Sequence, residues 1–111
     1  MIYRIAEMAD WQAALLRGEF SSADLLQEGF IHCSERAQVL RTAQKYYAGR
    51  SGLVLLEIDD AAIAASIRRE DLTGRGENFP HAYSPIPLKA IVRHFKFLAN
   101  DEGLFCLPTG I

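Results

Sequence analysis

The stretch that most constrains the fold is residues 53–58, an apolar run of six that only Glu57 interrupts. A run this short and this apolar is typical of a strand buried on both faces. Further strands are predicted at the two ends of the chain, over residues 1–6 and 90–98, from their β-branched and aromatic residues. The sequence therefore predicts a sheet built from distant parts of the chain.

The predicted helices are concentrated in the N-terminal half, with one further helical stretch over residues 61–66. Asp10 can cap a helix over residues 11–17 that Gly18 ends, and a shorter helix then stops at Gly29. Residues 36–48 have the clearest helical spacing of apolar side chains. This is not the regular alternation of a doubly wound parallel sheet. It favours an α+β domain with a mixed, mostly antiparallel sheet, and we expect residues 1–111 to form that single domain.

Composition limits the partners and the compartment. The net charge of −2 argues against non-specific nucleic-acid binding, although a local patch of Arg68, Arg69 and Arg75 leaves nucleic acid open. Cys33 and Cys106 are too few for a disulfide framework, so we predict free, core-filling thiols in a reducing compartment. With no leader and no apolar run of membrane length, we expect a cytoplasmic protein without membrane contact, as a monomer or weak dimer.

Two stretches, residues 29–34 (GFIHCS) and 79–85 (FPHAYSP), carry proton-handling side chains among apolar ones. Because a strand sends alternate side chains to opposite faces, each stretch has one face with an aromatic ring, a histidine and a hydroxyl. These are Phe30, His32 and Ser34 in the first stretch, and Phe79, His81 and Tyr83 in the second. The pattern predicts that both stretches face one cleft.

Each candidate residue also has a structural interpretation. His32 can move protons near neutral pH, or it can be a structural histidine bonded to a backbone carbonyl. Ser34 can support the site, or it can cap the helix that begins at residue 36. The prolines around His81 and Tyr83 can stiffen a site, or they can form a rigid turn over the core.

Glu70 is the candidate carboxylate. It lies on a strand predicted over residues 67–72, where Arg68 and Glu70 point one way and Arg69 the other. The neighbouring arginines can orient Glu70 through an ion pair, although a solvated surface glutamate is the commoner case. A glycine-containing loop over residues 73–78 precedes the second histidine stretch and is a candidate lid.

Several familiar sites are disfavoured. There is no Cys-x-x-Cys or His-x-x-x-His spacing, so we expect no metal. The chain has no Gly-x-Ser-x-Gly elbow, no Gly-x-Gly-x-x-Gly motif and no phosphate-binding P-loop motif. A serine hydrolase, a Rossmann dinucleotide site and a P-loop nucleotide site are therefore not predicted.

The chain resembles a small bacterial family known as domain of unknown function 952, and the resemblance covers nearly all of it. The residues that carry it are Ile2-Tyr3-Arg4-Ile5, Asp10-Trp11, residues 29–34, Tyr46-Tyr47, residues 55–59, Arg69-Glu70 and residues 79–86. The two histidine-bearing stretches together are its most specific part.

The resemblance implies a fold similar to that of ADP-ribosyltransferases and RNA 2'-phosphotransferases, which bind NAD or ADP-ribose between two small sheets without a Rossmann glycine motif. It implies a small nucleotide-like ligand, NAD as the cofactor, and ADP-ribosyl or NAD-dependent phosphate transfer. A non-catalytic ligand- or protein-binding module on a degenerate transferase scaffold is the alternative. The expected catalytic residues are His32, Ser34, Glu70 and His81, and the expected ligand contacts are Tyr83, Arg4, Arg69 and Phe79.

Overall fold

The centre of the fold is β4 (Leu53–Ile58), in which every residue is buried. The computed structural model describes residues 1–111. In the central sheet, β4 pairs antiparallel with β1 (Ile2–Glu7) on one side and with β8 (Ile91–Phe97) on the other. Alternate apolar side chains of β4 enter two separate apolar clusters, one on each face, which is why the run is apolar at every position except Glu57. The predicted buried strand is therefore confirmed.

Two smaller sheets complete the architecture. The site sheet has the order β3 (Ile31–His32), β6 (Phe79–Ala82) and β5 (Ile67–Glu70), and a separate ribbon pairs β2 (Glu19–Phe20) with β7 (Ile86–Pro87). All of these pairs are antiparallel, so the α+β class with antiparallel sheets is confirmed. The expectation of one mixed sheet is wrong.

Prolines lie within both smaller sheets. Pro87 lies in the two-residue strand β7, and Pro80 lies in β6, which still pairs with strands on both sides. The site sheet still meets the central sheet, because Tyr3 and Ser34 exchange two backbone hydrogen bonds of 2.8 Å. This junction fixes how β3 lies relative to β1.

The α-helices are α1 (Met8–Arg17), α2 (Ala23–Glu28) and α3 (Val39–Tyr46). Gly18 and Gly29 end the first two helices in the left-handed conformation, with φ of 87° and 89°, as their positions predict. A 3-10 turn over residues 36–38 leads into α3. These two helix ends are thus set by glycines that can adopt a positive φ at no steric cost, whereas α3 ends at Tyr46 with Tyr47 as its C-cap.

Two helix starts differ from the prediction. Glu7 precedes α1, and Asp10 lies inside its first turn, where a carboxylate still favours the positive end of the helix dipole. Glu35, and not Ser34, caps the turn before α3: Gln38 donates from its backbone to Glu35, and the Gln38 side chain accepts from the Glu35 N–H. Ser34 is instead held in the bridge to β1.

The two thiols are free, as predicted, but only Cys33 belongs to the core. Burial raises the pKa of the Cys33 thiol to about 12, so this side chain behaves as a small apolar group. Cys106 is exposed, which corrects its assignment to the core. None of the helices combines the length and the apolar character needed to cross a membrane.

Candidate functional site

His32 and His81 are direct neighbours across the two strands that carry them. They are register partners in the β3–β6 pair, and their ring centroids are 5.4 Å apart at an interplanar angle of 79°. The next pair along the ladder is hydrogen-bonded, from Cys33 N–H to the Pro80 carbonyl. The two histidines therefore form a non-hydrogen-bonded pair, the kind in which opposite side chains come closest. The predicted convergence of the two stretches is observed.

Phe30 supports both histidines from the same face of the strand. Its ring stacks on His81 with centroids 4.1 Å apart, and it meets His32 edge-on at 4.8 Å. Tyr83 lies 5.5 Å from the same ring. Because Phe30 is almost fully buried, it forms a fixed floor that restricts the orientation of the imidazoles.

Glu70 joins His81 and Tyr83 through a single carboxylate oxygen. His81 Nδ1 lies 2.8 Å from Oε1, and the Tyr83 hydroxyl donates to the same oxygen. A carboxylate only accepts, so Nδ1 carries a proton, and in the neutral ring Nε2 keeps its lone pair. Glu70 Oε2 receives no donor from the chain.

These hydrogen bonds shift the pKa values of the Glu70 carboxyl group and the Tyr83 hydroxyl group in opposite directions. The Tyr83 hydroxyl and then His81 hold the pKa of Glu70 below its ordinary value. The bond to Glu70 raises the pKa of Tyr83. At neutral pH the site therefore contains a carboxylate and a protonated phenol. The Arg68 guanidinium lies 5.1 Å from the centre of the Tyr83 ring and adds positive charge beside the pair.

His32 is the accessible histidine. Its side chain is 49% exposed, against 7% for His81. His32 Nε2 lies 3.0 Å from Glu28 Oε2 at the end of α2. Sequence reasoning missed Glu28, because the contact crosses the break at Gly29 between α2 and β3. The spacing of four residues was the signal that could have drawn attention to it.

Arg4 lies behind His32 and does not face the site surface. Its Nη1 donates to Asp24 Oδ2 at 2.7 Å and to the His32 carbonyl at 2.9 Å, while the His32 N–H donates to Asp24 Oδ2 at 2.9 Å. Both backbone groups of His32 on the free edge of the site sheet are therefore satisfied by one ion pair. Burial alone would raise the pKa of Asp24, but Arg4 and the donated hydrogen bonds lower it.

The other predicted residues lie as strand geometry dictates. Ser34 is buried, with its backbone bonded to Tyr3. Arg69 points away from Glu70, because the two are consecutive on β5, and it bonds Glu35 and Asp60 instead. Phe79 is the register partner of Glu70 and shares its side of the sheet. The structure brings together His32, His81, Glu70 and Tyr83 but does not bring Arg69 to them.

The His32 side chain is half exposed, whereas the His81 and Glu70 side chains are only 7% and 21% exposed. Two hollows, of about 240 and about 440 Å³, are lined by other residues and include none of these four side chains. Both lie beside α1, and the larger also reaches the start of α2. No group of three or more histidine, cysteine or acidic side chains is arranged to hold a metal ion. We call the surface formed by His32, His81, Glu70 and Tyr83 the histidine face.

Residues 5–94 match a family model described as protein of unknown function, DUF952. The chain belongs to the DUF952 family. The matched region contains the whole histidine face and Phe30, while Arg4 lies one residue outside it. This confirms the predicted family membership.

Solved structures of one relative have the same fold as this DUF952 chain. The crystal structure of CC0527 from Caulobacter crescentus is 34% identical, with a TM-score of 0.86 over 95% of this chain and 92% of that one. Its solution NMR structure is 35% identical, with a TM-score of 0.82 over 93% and 89% of the two chains. No curated protein matches the chain. The likeness therefore supports the fold and the family.

Proposed function

We propose that the histidine face binds a nucleotide-like anion, with NAD or ADP-ribose as the first candidates, and that this DUF952 chain catalyses ADP-ribosyl or NAD-dependent phosphate transfer. The observation that carries the proposal is the contact between His32 and His81, with Glu70 bonded to the second ring. A histidine with an oriented Nε2 beside a carboxylate with a free oxygen suits general-base chemistry on a hydroxyl.

Each side chain then has a role in ADP-ribosyl transfer. The exposed His32 ring and Arg68 bind phosphate, and Glu70 Oε2 accepts a hydrogen bond from a ribose hydroxyl. The bond between ribose and nicotinamide breaks, and the electron pair leaves with nicotinamide. The Glu70 charge stabilises the sugar cation, an acceptor hydroxyl adds to it, and His81 Nε2 takes the hydroxyl proton.

The architecture is compatible with this chemistry. Two three-stranded antiparallel sheets meet at Tyr3 and Ser34, in keeping with an ADP-ribosyltransferase-like fold of small sheets. The inference from fold to activity is by analogy, so the side chains of the site have to carry it. The two free cysteines suit a reducing compartment such as the cytoplasm.

The second candidate is a ligand- or protein-binding module without turnover. The exposure of His32 favours it, because transfer enzymes exclude water from a reactive sugar cation and this side chain is half exposed. On this proposal the same four side chains recognise an anion and no bond is broken.

Thermal shift with millimolar NAD or ADP-ribose tests binding, because a ligand of the folded state raises the melting temperature by mass action. We expect both ligands to stabilise the wild type and a His32→Ala, His81→Ala double variant to lose the response. The double variant's own melting temperature without ligand is the control for folding. No stabilisation of the wild type by either ligand contradicts the transferase and any module that recognises NAD or ADP-ribose.

Release of nicotinamide from NAD separates the two candidates. For a transferase we expect Glu70→Gln to keep binding and to lose turnover, since the amide can still accept a hydrogen bond but carries no charge. Glu102→Gln, in the exposed turn before Leu104, is the matched control and should leave turnover unchanged. Binding without turnover in the wild type supports the module instead.

A further inference from the structure

The smaller of the two hollows is separate from the histidine face and lies between α1 and β8, an outer strand of the central sheet. Its volume is about 240 Å³, below the range of about 300–1,000 Å³ that is usual for drug-sized ligands. Trp11 and Val54 form a buried floor, and the exposed rim includes Gln12, His94 and Lys96. The hollow suits a small molecule and shares no residue with the proposed nucleotide site.

The tryptophan in this hollow keeps a hydrogen-bond donor in contact with solvent. Trp11 is only 7% exposed, and no acceptor in the chain receives its indole N–H. Arg4 Nε is the one buried side-chain nitrogen or oxygen that lacks a partner, so the Trp11 nitrogen still meets solvent. Water is therefore its acceptor in the free chain, and a ligand oxygen that replaces this water keeps the hydrogen bond.

The rim adds further donors and no competing acid. Lys96 carries a positive charge, and Gln12 offers an amide that can donate, while no aspartate or glutamate lines the hollow. The Trp11 and His94 rings contact each other, with centroids 5.0 Å apart at an interplanar angle of 40°, and both line the hollow. Aromatic rings beside a positive charge suit an apolar aromatic body that carries an anionic group.

We propose that this hollow binds a small aromatic carboxylate of one ring, with the ring against Trp11 and His94 and the carboxylate on Lys96. The carboxylate also accepts from the Trp11 N–H. The class follows from the donor set, since phosphate-sized polyanions would gain little from the apolar floor formed by Trp11 and Val54.

Trp11 is the only tryptophan in the chain, so its indole N–H resonance is an unambiguous reporter. Benzoate titrated to millimolar concentration should shift that resonance saturably, and neutral benzyl alcohol should not do so over the same range. Lys96→Gln should weaken benzoate binding by about tenfold, the loss expected for one charge-assisted hydrogen bond.

Lys89→Gln is the matched control, because it removes the same charge from an exposed position outside the hollow. It should leave the benzoate affinity unchanged. The folding of both variants is checked by their melting temperatures without ligand. A shift that never saturates, equal binding of benzyl alcohol, or undiminished binding to Lys96→Gln would each overturn the proposal, whatever the outcome with NAD.

Discussion

Two glutamates of this chain have the same kinds of partner but differ in what they leave free. Glu57 on β4 accepts from the Tyr3 hydroxyl at 2.8 Å and from Arg93, whose Nε and Nη2 reach its two oxygens at 2.7 and 3.0 Å. Glu70 on β5 also accepts from a tyrosine hydroxyl and from one basic side chain, but only through Oε1.

The difference teaches which carboxylate is structural. Glu57 is buried and both of its oxygens accept hydrogen bonds. Its partners therefore compensate its charge, and neither oxygen is free to bind a ligand. Glu70 has a free oxygen, a histidine where Glu57 has an arginine, and a position on an edge strand. An arginine stays protonated at all ordinary pH values, whereas a histidine exchanges protons near neutrality.

The largest expected effect concerns the support behind the histidine face. Asp24→Asn should reduce the free energy of unfolding by about 3 kcal/mol, because it leaves the Arg4 guanidinium buried without its counter-charge. Urea unfolding measures the change. Glu28→Gln is the control: its partner His32 is half exposed, so the loss should stay below about 1 kcal/mol. Equal losses of unfolding free energy in the two variants would show that the ion pair between Arg4 and Asp24 does not support the histidine face.

Glu57→Gln should reduce the free energy of unfolding by about 2 kcal/mol, since a buried network loses its charge while Arg93 can still turn toward water. Glu70→Gln should cost less stability than Glu57→Gln in the same urea experiment, because its free oxygen is already unsupported by the chain. A larger loss for Glu70→Gln would reverse the assignment of the two carboxylates.

The acid dependence of stability should sharpen the comparison. Arg93 and then Tyr3 lower the pKa of Glu57 from its ordinary value of 4.5, so the unfolded state binds the proton first as the pH falls. The stabilisation is therefore complete above about pH 4.5 and is lost as the pH falls through the folded value. Unfolding measured from pH 7 downward should show a shallower acid decline in Glu57→Gln than in the wild type. Identical declines would show that this carboxylate does not set acid stability.

The smallest effect is on the two tyrosines. Glu70 is the main cause of the raised pKa of Tyr83, so Glu70→Gln should bring that pKa back toward the ordinary value of 10. Burial is the main cause for Tyr3, so Glu57→Gln should leave the pKa of Tyr3 above 10. Phenol titration followed by carbon NMR measures both. Equal changes in the two tyrosine pKa values would contradict the different causes assigned to them, Glu70 for Tyr83 and burial for Tyr3.

Local pattern was enough for several parts of this fold. The run over residues 53–58 predicted a buried strand, and Gly18 and Gly29 predicted two helix ends. Strand alternation also predicted that Arg69 and Glu70 lie on opposite faces of β5, as they do. The expectation that Arg69 contacts the ligand together with Glu70 did not take this into account. These features depend on backbone geometry within a few residues, which neighbouring side chains largely determine.

Contacts between distant segments were harder to predict. Arg4 was expected to touch a ligand, but Asp24, twenty residues away, holds it behind His32. Ser34 was a candidate for the site and for a helix cap, but Glu35 is the cap, and Ser34 is buried with its backbone in the bridge to Tyr3. An ion pair or a bridge depends on which segments meet, and spacing along the chain does not record that.

By itself the sequence determined the kinds of element, the side of each strand on which a side chain lies, and the two stretches that carry the histidines. Only the tertiary structure decided that His32 and His81 are register partners, that His32 is half exposed while His81 is buried, and that Glu70 keeps one oxygen free. The physical reason is the distance along the chain over which each property is set. Alternation is a property of consecutive backbone units, whereas the register of His32 and His81 depends on packing between segments about fifty residues apart.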